Sequence, residues 1–199
     1  MELTGESRIE APRLAVWAAL NDETVLARCI DGVESLDRTV GDDGVPRFEG
    51  RMNARVGPVR AIFTGSIILT ELDPPHRYVL VGEGKGGVAG FAKGQAEVVL
   101  DEDDDGSGGA ATRLRYTVTS SVGGKLAQLG SRLIEGAAKG YAATFFERFK
   151  AIVETPVEAA AAADPVVEPV VPAAGGIPPL VWGGALILGV AALLLWQLT

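Results

Sequence analysis

The sequence holds a single cysteine, Cys29, and a single histidine, His76, among its 199 residues. One cysteine cannot form a disulfide within the chain, and these two residues cannot supply the ligand set of a cysteine- and histidine-based metal site. The chain also lacks a Ser, His and Asp order and a paired Cys and His of the kind that nucleophilic catalysis requires. We therefore expect no metal site, no covalently bound cofactor and no enzymatic activity.

Basic residues are missing from the last quarter of the chain. All 18 Lys and Arg lie between Arg8 and Lys150, and only four acids follow. Without those four acids the formal net charge of −8 becomes about −4, with both signs mixed along the remaining chain. A basic stripe is absent, so nucleic acid is not an expected partner. The acidic run DEDDDGSGG at 101–109 indicates a solvated hairpin tip.

No charged residue occurs in residues 173–199. Residues 177–198 are apolar enough for a transmembrane helix, which needs about 20 such residues, and tryptophans stand near both ends, where indoles prefer the membrane interface. The predicted anchor residues are Leu180, Trp182, Leu186, Leu188, Leu193, Leu195 and Trp196.

The composition divides the chain into three regions. Residues 1–153 form the predicted folded domain, 154–176 an Ala- and Pro-rich flexible linker, and 177–198 the C-terminal membrane anchor. The N-terminus has no apolar stretch of the kind found in a secretory signal. We therefore expect a protein of the cell inner membrane whose folded domain stays in the cytoplasm.

Alternation with a period of two residues predicts the strands. In RFEGRMNARV, Phe48, Met52, Ala54 and Val56 share one face, and charged or polar residues take the other. Residues 59–72, 77–84, 95–102 and 112–120 alternate in the same way. One apolar face and one polar face are typical of an antiparallel sheet that is covered on a single side.

Three helices complete the pattern. APRLAVWAAL and DETVLARCI predict two short helices, for which Pro12 suits a first helical position and Asp22 an N-cap. From Lys125 to about Val153, apolar residues recur every three to four positions and predict a long amphipathic helix. The order is one strand, two short helices, about six strands and a long helix, which predicts an α+β fold with a curved sheet around the last helix.

The inner surfaces of this sheet and helix carry many small residues, so they could enclose an apolar cavity. The same residues could equally pack as a solid core, and the pattern leaves both interpretations open. The residues that we expect to line the cavity are Phe63, Ile67, Tyr78, Leu80, Phe91, Val98, Tyr116, Leu129, Leu133, Tyr141 and Phe145.

The glycine-rich segment GEGKGG at 82–87 fits the spacing of a nucleotide-binding loop. Such a loop opens a helix after a parallel strand, whereas the residues that follow here predict another strand. We interpret the segment as a wide hairpin connection, in which Val88 and Phe91 form an apolar lip.

Three segments resemble a known family: GESRIEAPRLAVWAALNDETVLARCIDGVESL, VGPVRAIFTGSIILTELDPPHRYVLVGEGKGGVAGFAKGQAEVVL and VGGKLAQLGSRLIEGAAKGYAATFFERF. Over about residues 2–150 they resemble the CoxG family, named for the G subunit of carbon monoxide dehydrogenase. The resemblance implies a START-like helix-grip fold, also called SRPBCC or Bet v 1-like, whose members typically hold hydrophobic ligands between the sheet and the long helix. The family's IPGCESL is IDGVESL here, with Asp31 and Val33 in place of Pro and Cys, so no role is carried onto that loop.

The resemblance also implies a function. The family is associated with molybdenum-containing carbon monoxide dehydrogenases and related hydroxylases as an accessory protein, and its name implies membrane recruitment. We expect a tail-anchored accessory protein that carries a lipophilic molecule, a quinone or another lipid, for such a dehydrogenase. A docking adaptor with a filled core is the second hypothesis. A cyclase- or hydrolase-type enzyme is the third, with Tyr78, Tyr116 and Tyr141 as its candidate polar groups.

The predicted anchor can be tested by fractionation. The intact chain is expected to sediment with membranes, and a chain that lacks residues 173–199 is expected to remain in the supernatant, because only the apolar segment favours hydrocarbon over water. Immunoblotting of the two fractions measures the partition. Recovery of the intact chain entirely in the aqueous fraction would contradict the prediction.

Overall fold

The computed structural model describes residues 2–103 and 110–155, and nearly all of the predicted linker and the whole predicted anchor lie outside these ranges. The element order confirms the prediction: a strand, two short helices, six strands and a long helix. The elements are β1 Glu2–Ile9, α1 Arg13–Ala19, α2 Glu23–Cys29, β2 Val33–Val40, β3 Pro46–Val56, β4 Val59–Asp73, β5 Arg77–Lys85, β6 Phe91–Glu102, β7 Thr112–Gly123 and α3 Ser131–Val153.

The seven strands form one antiparallel sheet in the order β1-β7-β6-β5-β4-β3-β2. The two strands that flank α1 and α2 in the sequence therefore lie at opposite edges of the sheet. The predicted alternation is confirmed in β3, where Phe48, Met52, Ala54 and Val56 are each 4% exposed or less. We call the face that carries these residues the inner face, and the opposite face the outer face.

The short helices begin as the sequence predicts, with one difference. The Asp22 carboxylate accepts hydrogen bonds from the N–H groups of Thr24 at 2.8 Å and Val25 at 3.2 Å, which caps α2. Such a cap is worth about 1 kcal/mol. Pro12 occupies the N-cap position of α1 rather than its first helical position.

The long helix begins six residues later than predicted. Gly130 adopts a positive φ of +82°, a conformation that breaks a right-handed helix, and α3 starts only at Ser131. The predicted first turn, Leu126–Leu129, instead forms a separate 3₁₀ helix. The apolar repeat continues across this break, which explains why periodicity alone placed the start at Lys125.

Glycines on the inner face mark where neighbouring strands come too close for a side chain. A Cβ atom on Gly65 would lie 2.4 Å from the carbonyl oxygen of Glu83, and one on Gly94 would lie 2.4 Å from that of Thr119. At Gly50 the space is taken by Leu36, whose Cδ1 would lie 3.2 Å from the added atom. Of the two interpretations that the sequence leaves open, close packing holds beside Gly50 and Gly65, where the absence of a side chain allows neighbouring strands to approach and the sheet to bend.

The core lies between the inner face and the helices. Phe145, Phe146 and Phe149 on α3 form successive ring contacts with centroids 5.3 and 5.4 Å apart, and they pack against the sheet. Trp17 on α1 meets Tyr78 on β5 edge-to-face at 5.2 Å. Burial of each such ring contributes about 1.5–3 kcal/mol.

A hairpin connection joins β5 to β6 as predicted, but it is shorter than the glycine-rich segment suggested: residues 82–85 belong to β5, and only residues 86–90 connect the strands. A short 3₁₀ helix, Gly87–Ala89, lies between the two strands, and a further strand follows it. The acidic run begins at the end of β6, where Asp101 pairs with Arg115 at 2.5 Å and Asp103 with Arg113 at 3.0 Å. These two carboxylates are therefore ion-paired, and the predicted tip itself, 104–109, lies outside the described residues.

Among the residues that the structure describes, no helix is both long enough and apolar enough to cross a membrane.

The role of glycine in bending the sheet gives a stability prediction. Gly65→Ala should destabilise the fold by about 2 kcal/mol or more, because the new methyl group meets strand backbone that cannot move aside. Gly136→Ala on α3 is the matched control, since its Cβ would meet nothing within 4 Å. Alanine favours helix there by about 0.5–1 kcal/mol. Urea unfolding followed by circular dichroism measures both; equal stability of Gly65→Ala and the parent would contradict the prediction.

Candidate ligand-binding site between the sheet and the C-terminal helix

Six of the predicted cavity residues meet in the core between the inner face and α3. Each is 4% exposed or less, and all belong to one contiguous apolar cluster. They come from β4, β5, β6 and α3, so the register of three adjacent strands brings them together. They are Phe63, Ile67, Tyr78, Leu80, Val98 and Phe145.

Three further predicted residues, Tyr116, Leu129 and Tyr141, are half-buried and pack against the same cluster. The Tyr116 ring stacks on Phe146 with centroids 5.6 Å apart. The Tyr141 hydroxyl accepts a hydrogen bond of 3.0 Å from the backbone N–H of Arg55 at the end of β3. Both rings therefore border the cluster.

The last two predicted residues do not join this core. Phe91 is 49% exposed because its position in β6 alternates with the inward-facing Ala92, so its side chain lies on the outer face, against Gly123. Leu133 is 52% exposed on the first turn of α3. The repeat that included Leu133 advances by four residues at each step, which is about 40° more than one helical turn, so Leu133 lies about 120° around the helix from Phe145 and outside its buried face.

Sequence reasoning missed Arg38, a charged residue on the inner face of the sheet. It stands on β2 directly opposite Phe48 and shares the inner face with Leu36. The residue is half-buried; its Nε and Nη2 atoms are shielded from solvent, and among the described residues they have no hydrogen-bond partner and Arg38 has no ion pair. A shielded cation without a partner is costly, which makes Arg38 a candidate for contact with a ligand oxygen.

A signal for Arg38 was present in the sequence. In VESLDRTV, residues Leu36, Arg38 and Val40 alternate and so share one face of a strand. A charged residue on an apolar strand face is a candidate functional group. The strand was not among those that the alternation predicted, so its orientation was not considered.

The other titratable groups of the core remain protonated near neutral pH. Burial raises the pKa of the Tyr78 hydroxyl well above its usual value, and burial also raises the pKa of Tyr116. Burial raises the pKa of the Cys29 thiol to about 11, although the cations of Arg28 and Arg148 act in the opposite direction. These groups can donate weak hydrogen bonds but carry no charge at pH 7.

Within residues 2–103 and 110–155, no group of three or more His, Cys, Asp or Glu side chains is arranged to hold a metal ion.

Open recesses lie on the outer face of the sheet. One, of about 670 Å³, runs across β4 to β7 beside Ile68, Val81 and Gln95. Another, of about 550 Å³, lies over β1, β6 and β7 beside Glu97 and Val99. A further one, of about 480 Å³, extends over β2 to β5 beside Asp37, Glu49 and Arg51. Their linings mix polar, charged and apolar side chains, so they differ in character from the apolar inner face.

A bent antiparallel sheet that closes on a C-terminal helix around an apolar interior defines a helix-grip protein of the START class. The chain belongs to the carbon monoxide dehydrogenase G-subunit (CoxG) family, whose model matches residues 5–154. The match covers almost the entire described fold. No curated protein is significantly similar in sequence.

Solved structures support the same fold. A conserved protein from Geobacillus kaustophilus is 28% identical, with a TM-score of 0.69, over 77% of this chain and 95% of that one. A START superfamily protein from Mycobacterium smegmatis is 11% identical, with a TM-score of 0.53, over 77% and 97% of the two chains. The ZhuI aromatase/cyclase from Streptomyces sp. R1128 is 14% identical, with a TM-score of 0.52, over 81% and 98%. The last two likenesses concern the fold alone.

The burial of Cys29 predicts an unreactive thiol. Native protein at pH 8 should react with a thiol reagent at least about a hundredfold more slowly than protein in denaturant, because the thiol is both inaccessible and protonated. An introduced cysteine at Val40, which is 62% exposed, is the control. Rapid labelling of Cys29 in the native state would contradict the prediction.

The raised pKa of Cys29 also makes stability depend on pH. Because the folded pKa of about 11 exceeds the usual value of 9.0, the protonated thiol stabilises the fold below about pH 9, and this contribution is lost as the pH rises towards 11.

Proposed function

We propose that this protein is a membrane-tethered accessory protein of a molybdenum-containing carbon monoxide dehydrogenase or a related hydroxylase. The observation that carries the proposal is the match of the CoxG family model to residues 5–154, which spans almost the entire described fold. The family's name associates it with the dehydrogenase. In this role the protein recruits the enzyme to the membrane or couples it to a membrane carrier.

The proposed ligand is a lipophilic molecule that carries a polar oxygen, of which a quinone is the chemical type. Nine of the eleven predicted residues belong to one apolar cluster or pack against it, and such a cluster suits the body of a lipophilic molecule. Arg38 suits its carbonyl oxygen, because this residue lies on the inner face and two of its shielded nitrogens have no acceptor in the part of the chain that the structure describes. A charge-assisted hydrogen bond from arginine to an oxygen is among the stronger polar contacts in proteins.

The proposed tether is the apolar segment 177–198, which follows the Ala- and Pro-rich linker. Its length suits a single crossing of the bilayer, and Trp182 and Trp196 suit the two interfaces. With the folded domain in the cytoplasm, the inner membrane would supply the lipophilic molecule and the linker would provide reach.

A docking adaptor without a ligand is the second candidate, and a specific observation favours it. The space beside Gly50 and Gly65 is occupied by neighbouring atoms, so the small residues there provide no room. A core that is packed in this way can hold an enzyme at the membrane without carrying a guest. The presence or absence of a bound molecule distinguishes the two functions.

The carrier function predicts a bound lipid that depends on Arg38. Full-length protein purified in detergent should yield a quinone or another lipid on solvent extraction and mass spectrometry. Arg38→Gln should weaken the affinity for the lipid, and so its retention, about tenfold or more, since loss of one charge-assisted hydrogen bond costs about 1.5–3 kcal/mol. Arg28→Gln is the matched control, because Arg28 also has no ion pair with a described acid and is exposed on α2.

A second substitution tests the apolar part of the site. Leu129→Trp should reduce lipid retention by filling space beside the cluster, with the fold verified by circular dichroism. If the wild-type protein carries no lipid and binds no added decylubiquinone, the carrier function is wrong. Membrane recruitment of the dehydrogenase that persists in such a protein would instead support the adaptor.

A further inference from the structure

Three connections lie together at one end of the sheet. The β3–β4 hairpin turns between Val56 and Val59, and the pairing of Thr64 with Lys85 places the end of β5 beside the start of β4. The pairing of Phe91 with Gly123 places the end of β7 at the same edge. We call this region the basic end: residues 55–62, 83–93 and 123–133.

Basic residues at this end have no acidic partners among the described residues. All six are exposed, and none forms an ion pair with a described acid, whereas Arg47, Arg77, Arg115 and several other bases are paired. Glu83 faces Lys93 across β5 and β6 but makes no ion pair with it. The six unpaired cations are Arg55, Arg60, Lys85, Lys93, Lys125 and Arg132.

Large apolar side chains are exposed among these cations. Val88, in the β5–β6 connection, is 86% exposed, and Phe91 is 49% exposed beside it. Ile62 and Leu133 add exposures of 43% and 52% from the β3–β4 hairpin and from the first turn of α3. Four of the seven large hydrophobic residues that are exposed in the described part of the chain therefore lie at the basic end.

Cations around a small apolar tip suit the boundary between lipid headgroups and acyl chains. Each Lys or Arg near an anionic membrane surface contributes about 1 kcal/mol, and apolar side chains that enter the boundary add to this. The ion-paired bases elsewhere have carboxylate partners and gain less from such a surface. The protein is acidic overall, but an anionic membrane would attract its basic end.

The rest of the chain has enough reach for this orientation. α3 leads away from the basic end for 23 residues, which is about 35 Å of helix. Its far end lies at the opposite end of the sheet, because the Glu154 carboxylate there accepts a hydrogen bond from the N–H of Glu10. Residues 156–176 follow, and at ~3.1 Å per residue such a segment spans on the order of 65 Å when extended. A chain anchored by residues 177–198 can therefore turn its basic end to the bilayer.

From these observations we infer that the basic end is a membrane-docking surface for anionic phospholipids, with Val88 and Phe91 entering the headgroup boundary. The inference rests on the proposed function in one respect, since the tether keeps the folded domain close to the bilayer. The β5–β6 connection lies beside the buried Phe63 of the apolar cluster. Docking at this end would therefore also bring the cluster close to the membrane.

An environment-sensitive fluorophore on the full-length chain tests the inference. The dye is attached through Val88→Cys, or through Val40→Cys in the β2–β3 hairpin at the opposite end as the exposed control; the buried Cys29 is expected not to react. Vesicles contain phosphatidylcholine alone or with about 30% phosphatidylglycerol as the anionic lipid. We expect a blue shift and a roughly twofold or greater rise in intensity at position 88 with the anionic vesicles only, weakened by salt.

Charge variants test the cations separately. Lys85→Gln together with Lys125→Gln should remove most of the rise at position 88. The control is Arg28→Gln together with Lys150→Gln. These two cations also have no ion pair with a described acid, but they lie outside the basic end, so the control should leave the rise intact.

The outcomes separate this inference from the proposed function. Flotation of the same samples reports the tether independently. If the chain floats with vesicles but position 88 responds no more than position 40, the docking surface is wrong while the tether stands. A response that needs the partner dehydrogenase rather than anionic lipid would also overturn it and identify a protein interface. Failure of the chain to float would refute the tether and, with it, the docking that depends on it.

Discussion

The bend of the sheet around α3 is the constraint on which the rest of the structure depends. An antiparallel sheet can close on a helix only if side chains on its concave face are small where strands converge, and Gly65 and Gly94 meet this requirement. The phenylalanines of α3 then fill the concave space. The same bend separates an apolar inner face from a polar outer face, and it determines which residues a ligand or a partner can reach.

The charges follow this division. Most of the paired bases, such as Arg51 with Glu34 and Arg77 with Glu97, make cross-strand or local contacts on the outer face and in its connections. The exceptions include Arg38, on the inner face, and the six cations at the basic end. A cation that folding leaves without a partner gains little from the fold itself. Such a cation can gain a favourable interaction from another molecule. The shielded Arg38 therefore supports the proposed ligand site, and the six cations beside exposed apolar side chains support the proposed docking surface.

The sequence predicted the order of the elements and the inner residues of β3 through β7, because a period of two identifies which residues share a strand face. It could not place the start of α3, since the apolar repeat runs across Gly130 and only the backbone shows the break. Phe91 was assigned to the cavity although its alternation with Ala92 places it outside. The partners of charged residues could not be predicted from the sequence, for a different reason. Alternation in β2 marks Arg38 as a charged residue on a strand face, but only the strand register shows that Arg38 and the cations of the basic end have no described acid within contact distance.

The source of the proposed ligand decides which contact gives the protein its selectivity. Moving an apolar molecule from water to the core would gain about 25 cal/mol per Å² of buried surface, but a molecule taken from a bilayer already lies in hydrocarbon. Apolar burial alone then offers almost no net preference for the protein over the membrane. Polar contacts that lipid tails cannot make must supply the difference, and Arg38 on the inner face has shielded donors without an acceptor among the described residues. A tether and a docked end would shorten the path for such a transfer. The guanidinium, rather than the surrounding aromatic and aliphatic side chains, would determine whether the transfer is favourable.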